Sequence, residues 1–383
     1  MWQSVEIQSL CSRVCSGGTP KSTCSEYYGG AIPWLNTKEI HFEPIWKTEK
    51  SISQLGLENS SAKWIPANSV VVAMYGATAA KACITKIPLT TNQACCNLII
   101  DESRADHRFV YYAIKNRYKE LAALANGGAQ QNLNAQQIKA FQIECPPKDI
   151  QQKIASILES FDEKIYINNR INDYLEQLCL LKVQALLNAS DEVICLEKIA
   201  NVNPSYSLKK GQIAKFIDMA ALGINTSMPN GIKQKAFSGG QRFSNGDTLI
   251  ARITPCLENG KGGFVNYLEQ NEIAFGSTEY IVLNSASPVV SNEVLYFITR
   301  TKDFREYAVK QMTGTSGRQR LSWQSVSKYE FVDITRSSKL AEVNNLCHVS
   351  LNVVRNNFLQ NQRLADIRDI LLPKLLSGAL ELD

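Results

Sequence analysis

The sequence predicts a mixed α/β (α+β) protein built from two tandem-repeated globular units, each followed by a long helix. Three observations predict it. The chain matches itself in order at a long offset. Each half mixes short β-type runs with helical segments. Each half then ends in an amphipathic stretch of 35 to 39 residues. With 383 residues, 44% of them hydrophobic, and a net charge of +5, the length suits two or three domains with real cores.

The repeat is read by sliding the chain along itself. Shifts of 185 to 189 residues lay Ile7 and Leu10 over Leu196 and Ile199, and Tyr111-Tyr112 over Tyr296-Phe297. They lay 129–133 over 317–321, and then Ile138, Phe141 and Ile143 over Val326, Tyr329 and Phe331. Lys153 and Ala155 fall on Lys339 and Ala341, and a shift of 178 sets Asn68-Ser69-Val70 on Gly246-Asp247-Thr248, as loop insertions require. The expected organisation is a mixed domain over 1–148, a long helix over 149–188, a second mixed domain over 189–337, a second helix over 338–377, and a tail over 378–383. The β-type runs, such as 69–73 and 279–283, are punctuated by Gly, Pro and Asn.

The helical stretches follow from apolar spacing of three and four. The first carries Ile154, Leu158, Phe161, Ile165, Leu175, Leu178 and Ala185 with no Gly or Pro between 150 and 188. The second carries Leu340, Val343, Cys347, Leu351, Val354, Phe358, Leu364 and Leu371, and Pro373 and Gly378 punctuate its end. At 1.5 Å per residue the first spans roughly 58 Å. Two such rods in one chain are expected to pair as an antiparallel coiled coil about a pseudo-twofold axis. That pairing would bury both stripes and put the globular parts at opposite ends. Asn168 and Asn361 interrupt the stripes where a polar residue can fix register.

Composition narrows the function. The eleven cysteines are odd in number and scattered, and the three histidines are isolated, so free cytosolic thiols are expected and no metal site. No run approaches a membrane span, and the N-terminal residues, with Glu6 early, show no secretory pattern, so a cytoplasmic protein is expected. Residues 1–150 and 189–337 each carry +3, whereas the helical stretches are near neutral. Gly260-Lys261-Gly262-Gly263 lacks the spacing and hydroxyl of a phosphate loop. The one acidic-x-Lys string, Asp162-Glu163-Lys164, lies on the helical seam, and no amino-methyltransferase motif occurs. The chain reads as a binder, with no catalysis of its own.

Binding candidates sit in Gly-punctuated loops, where backbone N–H groups and loop-tip side chains can meet phosphates. The loop 16–22 offers Gly17, Gly18, Thr19 and Lys21. The corresponding loops 127–132 and 314–320 offer Gln130, Gln131 and Asn132 in the first unit against Thr315, Ser316, Arg318 and Arg320 in the second. Gln and Asn pair with adenine and Arg with guanine, so the halves would read different bases; phosphate clamps or plain turns are the alternative. Arg252 stands where the first unit has Met74, and Tyr75, Lys81, Gln93, Lys209, Lys210, Lys261 and Thr278 complete the set.

Several strings resemble the specificity subunits of type I restriction-modification systems. They are Ser16-Gly17-Gly18-Thr19-Pro20-Lys21 with Tyr28-Gly29-Gly30-Ala31-Ile32-Pro33-Trp34, and Thr91-Asn92-Gln93-Ala94-Cys95, close to the family's Asn-Gln-Gly-Cys. Gln131-Asn132-Leu133 follows, then Pro146-Pro147, Gln151-Gln152-Lys153-Ile154-Ala155 and Asn168-Asn169-Arg170-Ile171-Asn172, and finally Leu371-Leu372-Pro373-Lys374-Leu375-Leu376-Ser377-Gly378. The second unit departs at Asn203-Pro204-Ser205-Tyr206 and at Phe275-Gly276-Ser277-Thr278-Glu279. The resemblance implies two target recognition domains that read the halves of a split, asymmetric DNA sequence. It implies paired helices that set the gap and dock two modification subunits. S-adenosylmethionine, ATP and Mg would be used by the partner subunits, including separate restriction and translocase subunits, and no cofactor would bind this chain. A duplicated DNA-binding regulator and a non-DNA scaffold are the competing readings.

Overall fold

A computed structural model describes residues 2–125, 132–315, 317–380 and 382. The chain divides into two compact units: unit 1 comprises 1–165 together with the distant stretch 363–383, and unit 2 comprises the continuous stretch 166–362.

Unit 1 opens with β1 (Gln3–Glu6), β2 (Cys11–Ser16), β3 (Tyr28–Leu35), β4 (Lys50–Ile52), the short helix α1 (Gln54–Glu58) and β5 (Trp64–Ile65). It continues through β6 (Val70–Ala73), β7 (Ala82–Ile84), β8 (Leu89–Thr91) and β9 (Cys95–Ile100) to α2 (His107–Asn116), α3 (Tyr118–Ala123), α4 (Ala135–Ala140) and β10 (Gln142–Cys145). Two four-stranded sheets form in the orders β2-β9-β6-β7 and β4-β3-β8-β5, and β1 pairs with β10. β6 is three valines and an alanine, buried at every position, as suits a central strand covered on both faces. Asp106 caps α2 by accepting from the N–H groups of Arg108 and Phe109. Asn134 and Gln137 cap α4 reciprocally at 2.9 Å each.

After α5 (Lys148–Leu187), unit 2 repeats the plan with β11 (Val193–Cys195), β12 (Ala200–Val202), β13 (Ile213–Ile217), β14 (Lys233–Ala236), β15 (Arg242–Phe243) and β16 (Thr248–Ala251). Then come β17 (Gly262–Phe264), β18 (Ala274–Gly276), β19 (Tyr280–Ser285), α6 (Asn292–Arg300), α7 (Lys302–Lys310), α8 (Trp323–Ser327) and β20 (Glu330–Val332), followed by α9 (Leu340–Leu376). Its sheets run β12-β19-β16-β17 and β14-β13-β18-β15, with β11 on β20. The two orders correspond strand for strand, including a parallel strand pair in each unit, β3 with β8 and β13 with β18. The fold is a duplicated mixed α/β unit with two long helices.

Both helices enter both cores. In unit 1, Ile154, Ala155 and Leu158 of α5 and Leu372, Leu375 and Leu376 of α9 join one buried cluster with α2 and the β6 sheet. In unit 2 the roles exchange: Leu340, Val343, Cys347 and Leu351 of α9 and Cys179, Val183 and Leu186 of α5 close the core. Val354 and, at the edge, Leu175 and Phe358 pack on a neighbouring cluster of the same unit. This corrects the expectation that the two stripes bury mainly each other, because much of each stripe is spent on sheet cores. Phe161, Ile165, Leu364 and Leu371 are half-buried, while Leu178 is 40% exposed, since the buried row runs through Leu175, Cys179, Val183 and Leu186 and leaves Leu178 outside it. Ala185 lies outside that row too and is exposed.

Polar contacts tie helix to helix within each unit. In unit 1 the Asp162 carboxylate, almost wholly buried, is paired with Arg368 and accepts from the Tyr112 hydroxyl at 2.6 Å. In unit 2 the Asn168 amide, fully buried, donates to Gln360 Oε1 and Asn361 Oδ1 at 2.8 Å each. Asn361 donates to Asn169, and Asn357 to Asn172, both at 2.8 Å. Rising numbers on α5 meet falling numbers on α9, so these segments run antiparallel. Although the buried Asn168 Oδ1 has no hydrogen-bond partner, its N–H groups bond α9 in this register alone and a slip would strand them too, so the pairing favours that register, the part expected of Asn168 and Asn361.

Pro373 sits inside α9, and the helix continues past it to Leu376. Losing one backbone hydrogen bond and crowding the preceding turn costs about 3 kcal/mol. Burying Leu372, Leu375 and Leu376 returns roughly 1.5–3 kcal/mol for each side chain, which outweighs it. The end is set at Gly378, whose φ of 70° lets its N–H bond Leu375 while the Ala379 N–H bonds Lys374.

Asp162→Ala is expected to destabilise unit 1 by about 1–3 kcal/mol in urea unfolding, because it leaves the buried Tyr112 hydroxyl unpaired and leaves Arg368 with Asp369 alone.

Candidate nucleic-acid interface

In each unit three loops meet beyond the C-terminal end of the strand at the heart of the main sheet. In unit 1, past β6, the Met74 N–H donates to the Ala94 carbonyl at 2.8 Å, and the Leu133 N–H donates to the Met74 carbonyl at 2.9 Å. Tyr75 and Asn132 form a bridge beside them. In unit 2, past β16, the Arg252 N–H donates to Glu279 at 3.0 Å, the Leu321 N–H donates to Arg252 at 2.8 Å, and Ile253 bridges Arg320. The backbone framework is therefore the same, and it equates Met74 with Arg252, Ala94 with Glu279 and Asn132 with Arg320. Only the side chains differ.

Unit 1 presents neutral groups at this place. Tyr75, Gln93 and Asn132 are exposed, and Gln93 is hydrogen-bonded to the Thr19 hydroxyl. Lys21 is exposed, and Lys81 is half-buried with its ammonium 3.4 Å from His41 Nδ1. Gln130 and Gln131 lie outside the described residues. Gly17 and Gly18 correct the sequence reading. Both are buried, and their N–H groups are already spent on the Cys95 and Thr91 carbonyls at 3.4 and 2.8 Å. A Cβ on Gly17 would meet the Thr91 carbonyl oxygen at 2.1 Å, and one on Gly18 would meet the Ala62 nitrogen at 2.2 Å. These glycines let backbones approach; they do not offer N–H groups to a ligand.

Unit 2 presents charge. Glu279 accepts from Arg320 Nε at 3.0 Å to both carboxylate oxygens and from Arg320 Nη2 at 2.9 Å. That carboxylate holds the Arg320 guanidinium in its charged form. Arg252 Nε stands 4.0 Å from the same carboxylate, buried and without a hydrogen-bond partner. Arg318, Thr315 and Thr278 are exposed around this cluster, while Ser316 lies outside the described residues. The Lys261 ammonium is committed to the Met219 carbonyl at 2.8 Å. Lys209 and Lys210 are exposed on the turn into β13, on the other sheet, so the structure does not bring them to the three-loop site. Glu279 escaped the sequence reading, although the signal was there: an acid stands where unit 1 has Ala94.

Among the described residues no cluster of His, Cys, Asp and Glu is arranged to hold a metal ion, and no helix is long and apolar enough to cross a membrane.

The sequence pattern described as the "Type I restriction modification DNA specificity domain" matches residues 1–177. The type I restriction enzyme MjaIX specificity subunit of Methanocaldococcus jannaschii is 24% identical over 100% of this chain and 94% of its own length. Over its whole length the chain is similar to type I restriction-modification specificity subunits. The HindI specificity subunit of Haemophilus influenzae is 32% identical over 49% of this chain and 41% of its own length. The solved S subunit of the type I restriction-modification system from M. genitalium shares the fold, with a TM-score of 0.57 at 20% identity over 98% of this chain and 96% of that one.

Gly18→Ala is expected to lower the melting temperature of the chain while leaving the salt dependence of any DNA binding unchanged. A shift in salt dependence without loss of stability would restore the glycines as phosphate contacts.

Proposed function

We propose that this chain reads a two-part, asymmetric DNA sequence, one half with each unit, and docks two modification subunits. One observation carries the reading: a single backbone framework, made twice, displays Tyr75, Gln93 and Asn132 in one unit and Arg252, Thr278 and Arg320 in the other. Equal frameworks imply an equal approach to a duplex, and unequal side chains imply unequal bases. Exposed amides suit adenine, and an exposed arginine such as Arg318 suits guanine or a phosphate.

The docking reading rests on apolar residues that the cores do not use. On α5, Ile167, Ile171, Tyr174, Leu178 and Leu181 are exposed at spacings of three and four, away from the buried row. On α9, Ile367 and Ile370 are exposed, and a shift of 189 equates them with Leu178 and Leu181. Each unit thus carries one half of a matched pair of sticky patches, as two copies of one partner require. Leu178, misplaced as a seam residue, belongs here. In this reading S-adenosylmethionine, ATP and Mg act in the modification, restriction and translocase subunits, the complex works in the cytoplasm, and the helix length sets the gap between the half-sites.

The direct test is duplex binding by the full chain with its modification subunits. Affinity should fall steeply with salt, as phosphate contacts release counterions. Arg318→Ala should cost about 1–3 kcal/mol against one half-site only. Equal loss on both halves rejects the split reading, and salt-insensitive or absent binding favours a scaffold. The pair Leu178→Asp and Leu181→Asp should abolish recovery of modification subunits in co-purification while circular dichroism stays unchanged.

A further inference from the structure

The Arg252–Glu279–Arg320 cluster assigns different work to two arginines that look alike in sequence. The Glu279 backbone carbonyl accepts from Arg252, fixing the end of β16, and its carboxylate grips Arg320 through both oxygens. The loop Arg320 belongs to is closed by paired backbone bonds between Thr313 and Arg320, at 3.1 and 2.8 Å, and its turn is tightened by the Arg318 N–H on the Thr315 carbonyl at 2.9 Å. The bidentate fork that would pair with a guanine edge is therefore already filled on Arg320. Arg318 stands exposed in the turn, and Arg252 keeps a guanidinium nitrogen with no hydrogen-bond partner at the foot of the loop. Unit 1 has Ala94 at the Glu279 position, so nothing comparable is built there.

We propose that Glu279 is a specificity-determining positioning residue. It withholds Arg320 from DNA and uses it to anchor loop 313–320, so that Arg318, exposed in the turn, is the guanidinium left to contact the half-site of unit 2. This rests on the DNA-reading function proposed above. Without the carboxylate, Arg320 becomes a free cation that any phosphate can take, and the loop loses its anchor. Non-specific affinity rises as discrimination falls, a split that simple unfolding does not produce.

The test uses the full chain with its modification subunits and two sets of duplexes. One set carries the motif methylated in cells that make the complex; the other has each half-site scrambled in turn. For Glu279→Gln, discrimination at one half-site should drop by about tenfold. Affinity for fully scrambled duplex should rise, and the slope of log affinity against log salt should steepen by about one unit, the signature of one added phosphate contact. Glu279→Asp, which keeps the charge, should retain the wild-type slope. Arg320→Ala should lose discrimination at the same half-site without any steepening, which keeps the proposal testable if one variant folds poorly. Unchanged discrimination in Glu279→Gln, equal loss on both halves, or a fall in non-specific affinity overturns the role of Glu279. A wild-type complex that fails to discriminate any of the duplexes overturns the DNA-reading function itself.

Discussion

Both sheet cores close on residues of the two long helices. Unit 1 needs Leu372, Leu375 and Leu376 from the far end of the sequence, and unit 2 needs Cys179, Val183 and Leu186 from the helix that leaves unit 1. The exchange makes the helices structural members of both units, and their register is not free to drift without opening a core. Inside unit 1 the Asp162–Arg368 pair, and inside unit 2 the asparagine ladder, convert that burial into one specific alignment. An unsatisfied buried charge or amide would penalise a slip of a single residue.

That constraint explains how recognition can diverge safely. Strand order, helix caps and the backbone bonds past β6 and β16 are held by the packing, whereas the three loops beyond them carry side chains that the cores do not use. Unit 1 fills those positions with amides and a tyrosine; unit 2 fills them with arginines and one carboxylate. The same scaffold therefore offers neutral hydrogen-bonding groups on one side of the duplication and charge on the other, and stability does not depend on which is chosen.

Much of this was legible in the residues. Helix length, the antiparallel sense implied by two rods in one chain, and the offsets that equate Met74 with Arg252 and Asn132 with Arg320 all follow from periodicity and repetition, which are local or self-referential signals. Other features depend on partners distant in sequence, and these were not legible. The stripes of α5 and α9 look alike whether they pack on another helix or on a sheet, so their use in the sheet cores was hidden. Gly17 and Gly18 read as donors until Thr91 and Ala62 were seen against them. Arg320 read as a reader of bases because its partner, Glu279, lies on another loop.

Sequencing methylated adenines in the host genome, with the coding region of this chain intact and deleted, is the most direct measurement of whether one polypeptide carries two unlike readers. The expected result is a motif of two different halves separated by a fixed gap, lost when the region is deleted. A continuous or palindromic motif, or a pattern unchanged by the deletion, would contradict it.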